Sequence, residues 1–370
     1  MKLRTIIITS IVLILFALLS HFMFYIQPRD FQIIHGQAEG QVHKVVGGYG
    51  DGTASTITPS TFIYFGTSSG YVVKVRLSDF TKVGSLDVSP VGGIKSGVID
   101  TVNGFIYFGD GTSRIAKVRL SDFTLNSTLV DGFSKFGAAI DVTGGYAYFS
   151  TQDAAARVLK LNLSTFVVDS TLILSTGVGD DAVIDTTNGF LYINIDSTPG
   201  KVVKVRLSDF TEISVLTFNA GENGNRCAAI DVTNQLAYFG TNQAPMKIVK
   251  VDLSTFARVG VITLNAGEER CGVAVINTFG GDLYVGTADA APGIVVKIDL
   301  GTFTRTSALT LAANEEGLEG QGAIDAESEF IYLPADVNRY LPKVNLSSFT
   351  ETGSIQLTAA EGNPLVGVIE

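Results

Sequence analysis

The chain has 370 residues, 46% hydrophobic and only 17% charged, with a formal charge of −10. The apolar content excludes a disordered chain, and the acidity argues against a nucleic-acid partner, since phosphate binding needs a basic surface. Two cysteines exclude a disulfide-dense scaffold.

Residues 1–5 carry Lys2 and Arg4, and an uncharged stretch follows from Ile6 to Ile26. As a helix those 21 residues reach roughly 30 Å, the thickness of a bilayer's hydrocarbon core. The basic flank places residues 1–5 in the cytoplasm, and Phe22, Phe24 and Tyr25 suit an interfacial belt at the far end. The expectation is a transmembrane signal anchor at 6–26. The competing reading is a cleaved signal peptide, for which Gly36-Gln37-Ala38 fits the cleavage pattern, though well beyond Ile26. Either way the remainder lies outside the cytoplasm, membrane-anchored at the cell surface or secreted. Residues 27–53 read as a tether, with Gly47, Gly48, Gly50 and Gly52 lending flexibility.

From residue 54 to 370 the chain repeats. The segment Val-Val-Lys-Val-Arg-Leu-Ser-Asp-Phe-Thr occurs unchanged at Val72–Thr81 and Val202–Thr211. A looser Leu-Ser-x-Phe turn starts at Leu77, Leu120, Leu163, Leu207, Leu253, Leu300 and Leu346, with Gly301 replacing serine once. A lysine precedes each: Lys74, Lys117, Lys160, Lys204, Lys250, Lys297 and Lys343. Further upstream stand Tyr64, Tyr107, Tyr148, Tyr192, Tyr238, Tyr284 and Tyr332. Ahead of all but the first tyrosine lies an acid or its amide: Asp100, Asp141, Asp185, Asp231, Asn277 and Asp325.

Each unit reads as four strands. A short apolar strand such as Ala138–Ile140 meets a tight turn, with Asn103-Gly104 and Asn188-Gly189 as hairpin signals. The tyrosine strand follows (Phe105–Phe108), then Lys-Val-Arg-Leu, then a fourth strand such as Lys82–Val88. Seven such units make an all-β, seven-bladed propeller of four-stranded blades. The final Gly367-Val368-Ile369-Glu370 matches Gly97-Val98-Ile99-Asp100, so Val366–Ile369 is expected to supply the inner strand of the first blade. The alternative gives that place to Ala54–Ile57. The landmarks resemble the YVTN, NHL and quinoprotein-like propeller repeats, with Tyr-Phe-Gly-Thr where that group has Tyr-Val-x-Asn. The resemblance implies fold; propellers host many unrelated activities. Quinone-dependent relatives stack their cofactor on tryptophan and sialidase-like propellers carry Trp-ending motifs, whereas this chain has no tryptophan. No cofactor is expected.

Identical residues repeated once per blade read as structure: lysine stems over apolar surface with the ammonium in solvent or on a partner, acids capping turns, tyrosines packing. Function belongs in the variable loops. Asp180, Asp181, Glu222, Glu268, Glu269, Glu315, Glu316, Glu319 and Glu361 fall in loops on one face, opposed by Lys95, Lys135, Arg226 and Arg270. They are expected to form a negative mouth over the central channel, suited to a basic partner or weakly to calcium; the bland reading is solvated acidic turns. Cys227 and Cys271 occupy consecutive repeats and would pair if their Cα atoms approach within about 7 Å; otherwise they are buried thiols. Sequons stand at Asn126, Asn162 and Asn345. All three histidines, His21, His35 and His43, precede the repeats, which excludes histidine-based catalysis or metal ligation within them. The sequence thus favours a non-enzymatic scaffold that binds protein or glycan by its loops. The rival classes are an exported propeller enzyme (lyase, lactonase or dehydrogenase type) and a surface-coat or filament subunit.

Overall fold

The computed structural model describes residues 61–153 and 155–370. The expected anchor at 6–26, the tether at 27–53 and the segment Ala54–Ser60 lie outside the described residues. Those residues form 28 strands in seven four-stranded antiparallel sheets, and no helix among them is long and apolar enough to cross a membrane. Inner strands of consecutive blades touch all the way round, blade 7 onto blade 1 included. The fold is therefore a seven-bladed propeller.

Closure runs through the chain's last residues. Pro364–Ile369 lies against Phe62–Thr67, with Val368 opposite Tyr64 and Gly367 opposite Phe65. The place that Ala54–Ile57 would have taken is filled. Blade 1 is thus built from both ends of the repeat region, and Phe62–Thr67 is paired on both sides.

The seven tyrosines are each at most 1% exposed. Each packs on the turn phenylalanine of the following blade. Tyr64 meets Phe123, Tyr107 Phe166, Tyr148 Phe210, Tyr192 Phe256, Tyr238 Phe303, Tyr284 Phe349 and Tyr332 Phe80, with ring centroids 5.6–6.0 Å apart. All seven phenylalanines hold φ between 48° and 55°, the left-handed region that a bulky side chain rarely enters. The Leu-Ser-x-Phe turn turns the ring back across the seam, and the aromatic contact offsets the backbone cost, of order 1 kcal/mol per residue.

The lysine row corrects one expectation. The ammonium does not simply reach solvent; in five blades it sits over the ring that opens the tyrosine strand, and in blade 5, which opens with Leu236, Lys250 lies 5.1 Å from the Phe303 centroid. Lys74 lies 3.8 Å from the Phe62 centroid, Lys117 4.1 Å from Phe105, Lys160 4.0 Å from Tyr146, Lys204 3.9 Å from Phe190 and Lys343 3.8 Å from Phe330. Where blade 6 has Asp282 instead of a ring, Lys297 makes an ion pair of 2.9 Å with it. Burial pulls Lys117, Lys204 and Lys343 below the usual lysine range.

The acid row caps its turns, as its position before them requires. Asp100 accepts the Asn103 amide at 2.9 Å, Asp185 that of Asn188 at 2.9 Å and Asn277 that of Gly280 at 2.8 Å. On each outermost strand a bulge falls opposite the lysine, at Val83, Asn126, Asp169, Ile213, Val259, Thr306 and Thr352. The bulge interrupts the exposed ladder and blunts an edge that would otherwise template strand pairing.

Blade 7 departs from the pattern. Its first two strands shrink to Ala323–Asp325 and Phe330–Tyr332. Pro334 stands where other blades have Gly, Ser or Asn and Pro342 where they have an apolar residue, and neither has an N–H to donate. Replacing Phe166 by alanine should lower stability by about 2 kcal/mol in urea unfolding, since it removes an inter-blade ring pair. An unchanged midpoint would show that the seams do not carry stability.

Candidate functional site

Inner strands begin on the face that also carries the loops joining second to third strands. The opposite face carries only the Asp-capped and Leu-Ser-x-Phe turns. In blades 1 to 6 the inner strand opens with a bulge that turns one residue out of the ladder: Leu365, Lys95, Phe136, Asp180 with Asp181, Arg226 and Gly272. In blade 7 the equivalent position is Gly320, at φ +113°. Those residues, with Glu319 and Asp336, line a cavity of about 110 Å³ at the centre of the ring. Bulges re-aim side chains at such rims.

In sequence this is a single column, five residues before the acid row. It reads Lys95, Phe136, Asp180, Arg226, Gly272, Gly320 and, before Glu370, Leu365. Columns that hold the blades together keep one residue type; this one varies at almost every copy. It is where the sevenfold symmetry is broken.

Charges around the cavity are two cations, Lys95 and Arg226, against four carboxylates, Asp180, Asp181, Glu319 and Asp336. Arg226 pairs with Glu319 and stands 3.7 Å from Asp180. Asp181 accepts the amide of Ala228 in the next blade at 3.1 Å. Burial raises the Asp336 carboxyl to about 6, Glu319 adding to the rise and Lys95 opposing it. Two glycines are obligatory here. A Cβ on Gly272 would lie 1.9 Å from the Leu318 carbonyl oxygen, and one on Gly320 1.9 Å from that of Leu365. Gln321, 1% exposed, ties the rim together: its side chain donates to the Gly97 carbonyl at 2.9 Å, while its backbone accepts from Gly367 and donates to Leu365.

The expected acidic face divides. Asp180, Asp181 and Glu319 reach the mouth. Glu222, Glu268, Glu315 and Glu361, each at most 4% exposed, do not. They sit in the junctions between blades, and so correct the expectation of one acidic mouth. Glu222 caps Asn219 and binds Arg258 of the next blade; Glu268 caps Asn265 and binds Arg305; Glu361 caps Thr358 and binds Lys82 at 2.8 Å. Burial alone would raise the Glu361 carboxyl, but Lys82 and the Thr358 and Ser85 hydrogen bonds outweigh it and hold it at about 2. Glu269 and Glu316 are half-buried in the same loops. Lys135 is fully buried against Asp131 at 2.8 Å, and Arg270 spans Asn242 and Asp289. Lys95 and Arg226 are the members of that basic set which line the cavity. Among the described residues no group of three or more His, Cys, Asp or Glu is arranged to hold a metal ion.

Cys227 and Cys271 form a disulfide between blades 5 and 6, with Cα atoms 5.8 Å apart. The sequons differ in setting. Asn126 is exposed on its outer-strand bulge. Asn162 and Asn345 are half-buried, accepting amides of Ser164 and Ser348 at 3.0 and 2.8 Å as turn caps.

No protein-family model matches the chain, and no curated protein does. Solved structures do. A functionally unknown protein from Desulfotomaculum acetoxidans aligns with a TM-score of 0.68 at 13% identity, over 84% of this chain and 99% of its own. Hydrazine synthase from Kuenenia stuttgartiensis aligns with a TM-score of 0.63 at 12% identity, over 85% and 100%. At such identities the likeness is one of fold.

The disulfide closes a loop of 44 residues across a blade seam. Replacing both cysteines by serine should cost about 2–4 kcal/mol of stability, read as a lower midpoint in urea. An equal midpoint with and without reductant in the unaltered protein would contradict it.

Proposed function

We propose that the protein is a non-enzymatic recognition module, displayed outside the cytoplasm by the 6–26 anchor, whose mouth takes a basic side chain of a protein partner. The observation that carries this is the variable column: seven equivalent positions at the starts of the inner strands, six of them bulges, all facing one cavity, hold Lys, Phe, Asp, Arg, Gly, Gly and Leu. Duplication alone leaves like residues at like places; divergence confined to the rim is what recognition of one asymmetric partner would produce.

The chemistry favours binding over turnover. The cavity, about 110 Å³, is smaller than the roughly 300–1,000 Å³ of sites that enclose small-molecule substrates. It suits the tip of a side chain presented by a larger surface. Four carboxylates outweigh two cations, and the Asp336 carboxyl is raised first by burial and then by Glu319. A lysine or arginine tip would relieve it. Phe136 and Leu365 would cover the aliphatic stem. The rigid ring suits this role, because a preformed site loses little entropy on binding.

The test uses the full chain in detergent and an array of short peptides alike except for one central lysine, arginine, glutamate or alanine, with neutral glycans alongside. Basic peptides should be retained preferentially, less so at high salt. The double change E319Q and D336N should weaken retention about tenfold. Retention of glycans alone, or equal retention of all four peptides, would overturn the proposal. For the anchor, the full chain should stay with membranes through alkaline extraction; release would contradict it.

A further inference from the structure

Three of the seven junctions between blades share one arrangement, and the junction of blades 6 and 7 departs from it. At three junctions a loop glutamate accepts the amide that opens its loop and pairs with a cation at the second residue of the next blade's outermost strand: Glu222 with Arg258, Glu268 with Arg305, Glu361 with Lys82. At the junction of blades 3 and 4 the loop has no acid, and Glu212 from the outermost strand accepts the Ser175 amide at 2.8 Å instead. Each arrangement supplies one carboxylate per site.

The junction of blades 6 and 7 supplies two. Glu315 stands in the loop, and Glu351 occupies the place held elsewhere by Arg258, Arg305 or Lys82. Glu351 takes the Ala312 amide at 2.9 Å, as Glu212 takes that of Ser175. Glu315, 2% exposed, is left facing Glu351 and Ser354, with a share of the Ala312 amide. From blade 6 the Gly293 backbone N–H donates to its carbonyl at 2.7 Å. No ion pair reaches either carboxylate among the described residues. A buried carboxylate facing a half-buried one ionises only at a cost in repulsion and desolvation.

The same loop builds the mouth. Four residues after Glu315 it presents Glu319, the partner of Arg226, and then Gly320. Its backbone is tied to blade 6 through Thr287 and Gly272 and to blade 7 through Asp336 and Val337. We propose that a proton shared between Glu315 and Glu351 latches this loop, and that losing the proton loosens the wall of the mouth that carries Glu319. The latch would regulate the recognition site proposed above and rests on that reading only for its purpose.

The sign follows from the charge. Burial first, then Glu351, lifts the Glu315 carboxyl from its ordinary range to about 7. The contribution to stability is full at acid pH and is lost as the pH rises through about 7. The opposite holds at Glu361, whose contribution is lost only in strong acid.

Hydrogen exchange on the full chain tests this without any ligand. Between pH 5.5 and 8.5, after correction for the intrinsic rate, residues 312–320 should lose protection about tenfold, while residues 265–270, latched by Glu268 and Arg305, should not change. E351R should install the pairing of the other junctions and E315Q should remove the charge, each abolishing the dependence. If E315Q does not fold, E351R carries the test alone. An unaltered chain whose 312–320 exchange is as flat as that of 265–270 would overturn the latch, as would an unchanged slope in E351R. Either result leaves the peptide-array outcome untouched, so the two ideas fail separately.

Discussion

A four-stranded blade has two apolar faces and no means of covering either alone. Everything else in this protein follows from the seam where one blade covers the next. The same three groups meet at every seam: a tyrosine buried to 1% or less, a phenylalanine from the following blade, and a lysine laid over the rings. The phenylalanine reaches its place only because its own backbone enters the left-handed region, a strain that the contact with the neighbouring blade offsets. Local conformation and long-range packing are thus coupled at each of the seven seams.

Closure makes the coupling circular. With Pro364–Ile369 completing blade 1, Phe80 can meet Tyr332 and no seam is left open. The inner strands then converge so closely that Gly272 and Gly320 must lack side chains. What the ring leaves free is the first bulge of each inner strand. Structural demand ends there, and the residues become diverse there.

The repeat made the architecture legible. Tyrosine, lysine and Leu-Ser-x-Phe recur because each seam needs them, and the match between Gly367–Glu370 and Gly97–Asp100 identified the closing strand. The site was legible only in part. Asp180, Asp181, Glu319, Lys95 and Arg226 were found by charge and loop position; Phe136, Gly272 and Leu365 carry no charge to mark them, and Asp336, in the loop joining the second and third strands of blade 7, was missed. The column five residues before the acids held the signal; bulges hide it, because they add a residue without changing the repeat length. Glu222, Glu268 and Glu361 misled for a related reason. Their loops look acidic along the chain, while their partners stand at the same place in the next blade: Arg258 and Arg305 lie 36 and 37 residues onward, and Lys82 lies 279 residues back across the closure. Blade 7 was read as regular because its landmarks survive, although its first two strands are shortened.

The account's central claim is that the blades stand only as a closed ring. The most direct measurement is residue-resolved hydrogen exchange on the full chain and on one lacking residues 364–370. If seams and closure carry the fold, inner-strand amides in all seven blades lose protection together when that last strand is removed. Loss confined to Phe62–Thr67 and its immediate neighbours, with blades 3 to 6 still fully protected, would show that the blades stand independently and would contradict it.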